Sequence, residues 1–190
     1  MPDSSQDRSP LEALCATVPL GRLPRTGWLM SGVPYPESIA AHSHGVCLVV
    51  LALGPAVEPP IDVDRAVSLA AVHDVPEALL SDLPRPGARL FPAGAKRIAE
   101  TAAALELLSP LSSLAHARFE EYAGNESREA RFARLCDRLH LGVMLVAYLR
   151  AGARGLEDFM QTMTDLDVTE FPACQELLGE ILEACGEIAP

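Results

Sequence analysis

The sequence predicts an all-α protein, and three observations carry that prediction. No long segment shows the alternation of apolar and polar residues that marks a half-buried strand. Apolar residues recur instead at spacings of three and four, and polar helix starters and Gly or Pro stops bound those runs. With 190 residues and 49% hydrophobic content, the chain can bury one sizeable core. A single domain over residues 9–190 follows, its centre at about 20–150 and its last helices over 155–190, with residues 1–8 a polar, flexible start.

The first helix is expected from Pro10 to about Val18. Ser9 is placed to cap it, Pro10 suits the first helical position, and Glu12 stands where a capping box requires it. Gly21, Pro24 and Gly27 make the next stretch a loop carrying Arg25 and Trp28. On general grounds such a tryptophan is a packing anchor and such an arginine a solvated charge. A second helix runs from about Ser38 to Leu53, stopped by Gly54-Pro55. Ile39, His42, Val46, Val49 and Leu53 form one stripe and Ala40, His44, Leu48 and Leu51 another, so this helix is apolar nearly all round and belongs at the centre. The apolar run near Val46 to Leu53 is too short to span a bilayer.

The third helix, roughly Asp64 to Asp74, places Ala66, Val67, Ala70 and Ala71 on an inward stripe that His73 and Asp74 continue. An imidazole and a carboxylate buried together need partners, and a metal ion supplies one for both. Val75-Pro76 breaks the helix. Glu77 then opens a short helix with Asp82 near its end, and Pro84 and Pro86 close the segment. A loop to Pro92 leads to a helix from about Ala93 to Leu108. Arg85, Arg89, Lys96 and Arg97 are the basic residues nearest the His-Asp pair; singly they are solvated charges, and together they can attract phosphate.

Further helices are expected over Leu111 to Tyr122, stopped by Gly124-Asn125, and over Ser127 to Arg150, stopped by Gly152 and Gly155. On the second of these Ala130, Ala133, Asp137, Leu141, Met144 and Tyr148 share a face, so Asp137 joins an apolar stripe. It is either salt-bridged to Arg134 or Arg138, or a third polar group delivered to a common site. Two shorter helices follow, near Leu156 to Met163 and Phe171 to Cys185. The apolar face of the last, Leu177, Leu178, Ile181 and Cys185, either caps the core or forms a dimer contact.

Composition narrows the function classes. A net charge of -11 argues against binding to a nucleic-acid backbone or an anionic membrane, and requires a small anionic substrate to meet local positive charge or a metal. The five cysteines, odd in number and without a C-x-x-C pair, read as reduced core residues. The start of the chain lacks the basic and apolar regions of a signal peptide, so a cytoplasmic location is expected.

His73-Asp74, with Glu77 and then Asp82 in Ser-Asp-Leu-Pro, resembles the HD-domain metal phosphohydrolases, and within them the 5'-deoxynucleotidase branch. Arg25-Thr-Gly-Trp28 with Pro36-Glu-Ser-Ile-Ala-Ala-His42 is similar to the N-terminal signature of that branch. Glu121-Tyr122, Ser127, Glu129-Ala130, Phe132 and Asp137 are similar to its distal one. The resemblance implies an HD-domain helical bundle with a metal site between its central helices. It implies one divalent ion (Co, Mn, Mg, Fe or Zn) held by His42, His73, Asp74 and Asp137, two imidazoles and two carboxylates that suit an octahedral ion with open water positions. His44 is then a second-layer or hydrogen-bonded core histidine, while His116 and His140 are structural or exposed.

The same resemblance makes Glu77 and Asp82 catalytic, with Asp82, Trp28 and Arg25 as substrate contacts. Gly27 departs from it, because some nucleotidases of this type carry an arginine directly before the tryptophan. The expected activity is metal-dependent hydrolysis of (deoxy)ribonucleoside 5'-monophosphates to nucleoside and phosphate, by a homodimer. The alternatives are an HD phosphohydrolase of another phosphoester, such as a nucleoside di- or triphosphate, a cyclic nucleotide or a specialised metabolite, or a non-catalytic metal-stabilised binding module. A two-metal HD protein would need more histidines at the site.

Overall fold

The structure, a computed structural model, describes residues 8–188. Apart from Arg8, which pairs with Glu106, the segment expected to be flexible lies outside the described residues. Helix α1, Pro10–Thr17, starts as its sequence dictates: the Glu12 amide donates to the Ser9 hydroxyl and the Ser9 amide donates to the Glu12 carboxylate. A 3-10 turn, Val18–Gly21, follows.

The next stretch departs from the loop expected of it. Residues Thr26–Met30 form a short helix, α2, that buries Trp28. The Arg25 amide donates to the Glu37 carbonyl and the Ile39 amide to the Leu23 carbonyl, pinning both ends of the excursion around an antiparallel bridge between Pro24 and Ser38. Tertiary closure thus holds a helical turn that Gly27 would disfavour in isolation.

Helix α3, Ile39–Leu53, is capped by the Ser38 hydroxyl. Extended through the 3-10 turn Gly54–Ala56, it gives an 18-residue window of mean hydropathy 1.6, so length alone does not exclude a bilayer span as expected above. In the structure it instead packs against α4, Val63–Val72, and α9, Arg128–Arg150. These three helices form the centre. Helices α5, Glu77–Leu80, and α6, Arg85–Ala88, interrupt the connection to α7, Ala95–Leu108. Helix α8, Ser113–Gly124, ends on Asn125 in the left-handed conformation and packs on α4 and α7.

Helix α10, Glu157–Thr164, and α11, Gln175–Ile188, cover the far side of α9. Their Met163, Leu178, Ile181 and Cys185 join Val46, Phe132, Cys136 and Leu139 in one apolar cluster. The face of α11 therefore caps the core. Gly142 permits this approach, since a Cβ there would lie 2.7 Å from Met163 Sδ and 3.0 Å from Ile181 Cδ1. Cys136, Cys174 and Cys185 are buried and Cys47 is half-buried, whereas Cys15 is exposed rather than a core residue; none is in a disulfide.

Candidate metal centre

Three elements deliver the site. His42 lies one turn into α3, His73 and Asp74 occupy the turn that ends α4, and Asp137 is near the middle of α9. His42 Nε2 is 2.9 Å from Asp137 Oδ1 and 3.8 Å from Asp74 Oδ2, and His73 Nε2 is 3.0 Å from the same Asp74 oxygen. The imidazoles are sealed, with side-chain exposures of 0% and 2%, while Asp74 and Asp137 keep 15% and 25%. The cluster therefore opens to solvent on its carboxylate side.

The tautomer of His73 tests whether a metal fits. Its Nδ1–H donates to the Ala70 carbonyl at 2.7 Å, one turn back on α4, which leaves the Nε2 lone pair aimed at the carboxylates. Nε2 is buried and has no hydrogen-bond partner. A lone pair 3.0 Å from a carboxylate oxygen needs a cation between or beside them. Without metal that cation is a proton: burial would lower the His73 pKa, but the Asp74 carboxylate holds it up at about 9. Asp74 itself, against burial that would raise it, is driven well below the usual carboxylate range by His73, Arg25 and His42. Asp137, also against burial, is lowered by its hydrogen bond to His42. His42, His73 and Asp137 place ligand atoms within 4.8 Å of one another, and Asp74 sits among them. The donor set suits a divalent ion.

Glu77, first residue of α5, is buried, and its Oε2 has no partner. Burial and then the Asp74 and Asp82 carboxylates push its pKa up to about 9, so a protonated carboxyl stands beside the cluster at neutral pH in the metal-free protein. Asp82 is not near the end of a helix, as the sequence suggested. Helix α5 stops at Leu80, where the Ser81 amide closes onto the Glu77 carbonyl, and Ser81 takes φ 61 and ψ 165 to turn the chain. Asp82 Oδ2 then accepts the Thr26 amide at 2.6 Å, tying this turn to α2.

Arg25 lies 3.3 Å from Asp74 Oδ2, so its guanidinium offsets a ligand carboxylate rather than standing free for phosphate. Trp28 is 1% exposed, stacked on Phe159 at 3.9 Å and edge-on to Tyr148 at 5.1 Å. It is the packing anchor and offers no face to a substrate here. Among Arg89, Lys96 and Arg97, whose side chains are described, Lys96 lines the cavity beside Glu77. That cavity, about 150 Å³, also includes Leu80, Leu83, Phe91 and Ala99. Arg89 and Arg97 are exposed, and the side chain of Arg85 lies outside the described part of the structure.

The histidine roles expected outside the cluster are partly exchanged. His44 is exposed on the outer face of α3 and lines a separate groove, so it is not a core partner of the site. His116 is half-buried, 4.0 Å from Glu120. His140 is buried, with Nδ1 3.0 Å from His42 Nδ1, and Glu37 closes the same corner with Oε1 3.5 Å from His42 Nδ1. Sequence reasoning gave neither a site role. The available signals were the place of His140 one turn after Asp137 and that of Glu37 five residues before His42.

An all-α bundle that converges two imidazoles and two carboxylates beside a buried, unpartnered glutamate has the make-up of a metal-dependent hydrolase. The chain belongs to the HD domain family, whose pattern matches residues 20–177. It is similar to a 5'-deoxynucleotidase of Schizosaccharomyces pombe, 26% identical over 84% of this chain and 82% of that protein. It is also similar to a 5'-deoxynucleotidase of Homo sapiens, 30% identical over 70% of this chain and 65% of that protein. In structure it resembles a conserved hypothetical protein from Pyrococcus furiosus with a TM-score of 0.79 at 29% identity, covering 91% of this chain and 99% of the other. The chain is accordingly a hydrolase of the HD class.

Proposed function

We propose that this hydrolase cleaves (deoxy)ribonucleoside 5'-monophosphates to nucleoside and phosphate, as a cytoplasmic homodimer. The observation that supports the reaction is the Glu77 carboxyl, buried and unpartnered next to four convergent ligand groups. His42, His73, Asp74 and Asp137 would hold one divalent ion, among Co, Mn, Mg, Fe and Zn. When bound, that ion supplies Lewis-acid polarisation of the phosphate and a lowered pKa for attacking water. The chain's residues do the rest. Arg25 beside Asp74 offsets carboxylate charge, so that a phosphate dianion can approach in a protein of net charge -11. Asp82, one oxygen committed to the Thr26 amide, keeps the other for the attacking water or a sugar hydroxyl. Water forms the new P–O bond, the bond to the 5'-oxygen breaks, Glu77 gives that oxygen its proton, and the proton shed by the water as it becomes part of the phosphate restores Glu77.

The test is phosphate release from a panel of ribo- and deoxyribonucleoside 5'-monophosphates by chelator-stripped protein with Co, Mn, Mg or Zn restored. Metal-dependent release, greater for deoxy substrates, is the expected result. Pyrophosphate from triphosphates in its place, or no release by folded, loaded protein, would overturn the reading.

A further inference from the structure

We infer that Glu37 and His140 are positioning residues that fix the tautomer and aim of His42 from behind, and that Gly45 is the seat which lets His140 do so. The inference rests on the metal reading of His42. A neutral imidazole carries one proton, and His42 can offer its Nε2 lone pair to an ion only if that proton sits on Nδ1. Nδ1 points away from the cluster into a corner containing two polar groups: His140 Nδ1 at 3.0 Å and Glu37 Oε1 at 3.5 Å. The Glu37 side chain is 5% exposed and its Oε1 has no hydrogen-bond partner. A buried carboxylate with an idle oxygen attracts a proton to the side of His42 that it faces. His140 Nδ1 accepts that proton, and Nε2 is left free to face an ion shared with Asp74 and Asp137. The opposite arrangement, with His140 donating into His42 Nδ1, would put the His42 proton on Nε2, where the ion belongs.

The corner is built rather than incidental. The Glu37 amide donates to the Tyr148 hydroxyl at 2.7 Å, so α9 holds the Glu37 backbone in place. His140, on the same helix, closes onto α3, where a Cβ added at Gly45 would be 1.9 Å from its Nε2 and 2.5 Å from its Cδ2. No side chain fits at position 45 while the ring is there. The same three side chains, Glu37, His42 and His140, also lie close enough to be compared with a second metal site. The 3.0 Å separation of the two Nδ1 atoms is a hydrogen-bond length, and the hydrogen-bonded reading needs no atom to move.

The experiment measures Zn and Co affinity by chelator competition, together with the His42 Nδ1–H resonance of the Zn-loaded protein by 1H–15N NMR, for wild type, Glu37→Ala, His140→Ala, His140→Gln, Gly45→Ala and the Gly45→Ala/His140→Ala double variant. Loss of such an outer partner costs roughly 10- to 100-fold in metal affinity. That loss is expected for Glu37→Ala and His140→Ala, with the His42 Nδ1–H resonance moving upfield as the hydrogen-bond acceptors behind it are lost. His140→Gln, which restores an acceptor oxygen, should recover most of it. Gly45→Ala should weaken binding only where His140 is present, so the double variant matches His140→Ala alone and also controls for misfolding. Affinities within about twofold of wild type for both alanine variants, or an equal Gly45→Ala effect in both backgrounds, would overturn the inference. So would two metal equivalents in wild type falling to one in His140→Ala. A wild type that binds no metal refutes the proposed function instead.

Discussion

Glu77 carries the most chemistry of any single side chain outside the ligand set. Replacing it with glutamine should leave metal bound and lower turnover by about 10²- to 10⁴-fold, the usual worth of a positioned general acid, as read by phosphate release at saturating metal. The same substitution has a stability signature in metal-free protein. An ordinary glutamate pKa of 4.5 is raised to about 9 on folding, so between those values the native state holds a proton that the unfolded chain has released. Stability then falls as pH rises through that window. Glu77→Gln removes the slope, and its melting temperature should exceed that of wild type at about pH 8 and converge with it below about pH 4. Apolar stripes carry His73, Asp74 and Asp137 inward, but spacing alone left His42 and His44 on equivalent stripes and Asp137 open to a salt bridge, and the family resemblance made the choice. Glu37 and His140 were not legible, because their contact with His42 depends on how closely α3 and α9 approach, which no local pattern encodes.

At the scale of elements, caps and stops made the long helices readable. Ser9, Ser38, Ser112 and Ser127 each accept the amide three residues on. The short helices α2 and α6 escaped because fewer than two turns are held by neighbours rather than by their own propensity. The turn after α5 shows the reverse conflict. Ser81 adopts φ 61 and ψ 165, a region that suits glycine, in order to swing Asp82 toward Thr26. Ser81→Gly should stabilise the protein by on the order of 1 kcal/mol in denaturant unfolding, the relieved strain exceeding glycine's added chain entropy. At the other face of α9, Gly142→Ala would force Met163 and Ile181 aside. It should cost about 1–3 kcal/mol and expose α10 and α11 to earlier proteolysis.

For the whole molecule, three helices from separate parts of the chain meet at one cluster, so metal binding and global stability are linked. A metal that binds only the folded state adds about 2.7 kcal/mol at a free concentration a hundred times its dissociation constant. Chelation should therefore lower the melting temperature, and the loss should be reversed by restoring the ion. The most direct test of the central claim is the number of divalent ions bound per chain in wild type and Asp137→Asn, counted by equilibrium binding on protein shown to be folded by circular dichroism. One equivalent in wild type and none in Asp137→Asn at the same free metal is the predicted result. An undiminished equivalent in Asp137→Asn, or none in wild type, would contradict a metal centre shared by α3, α4 and α9.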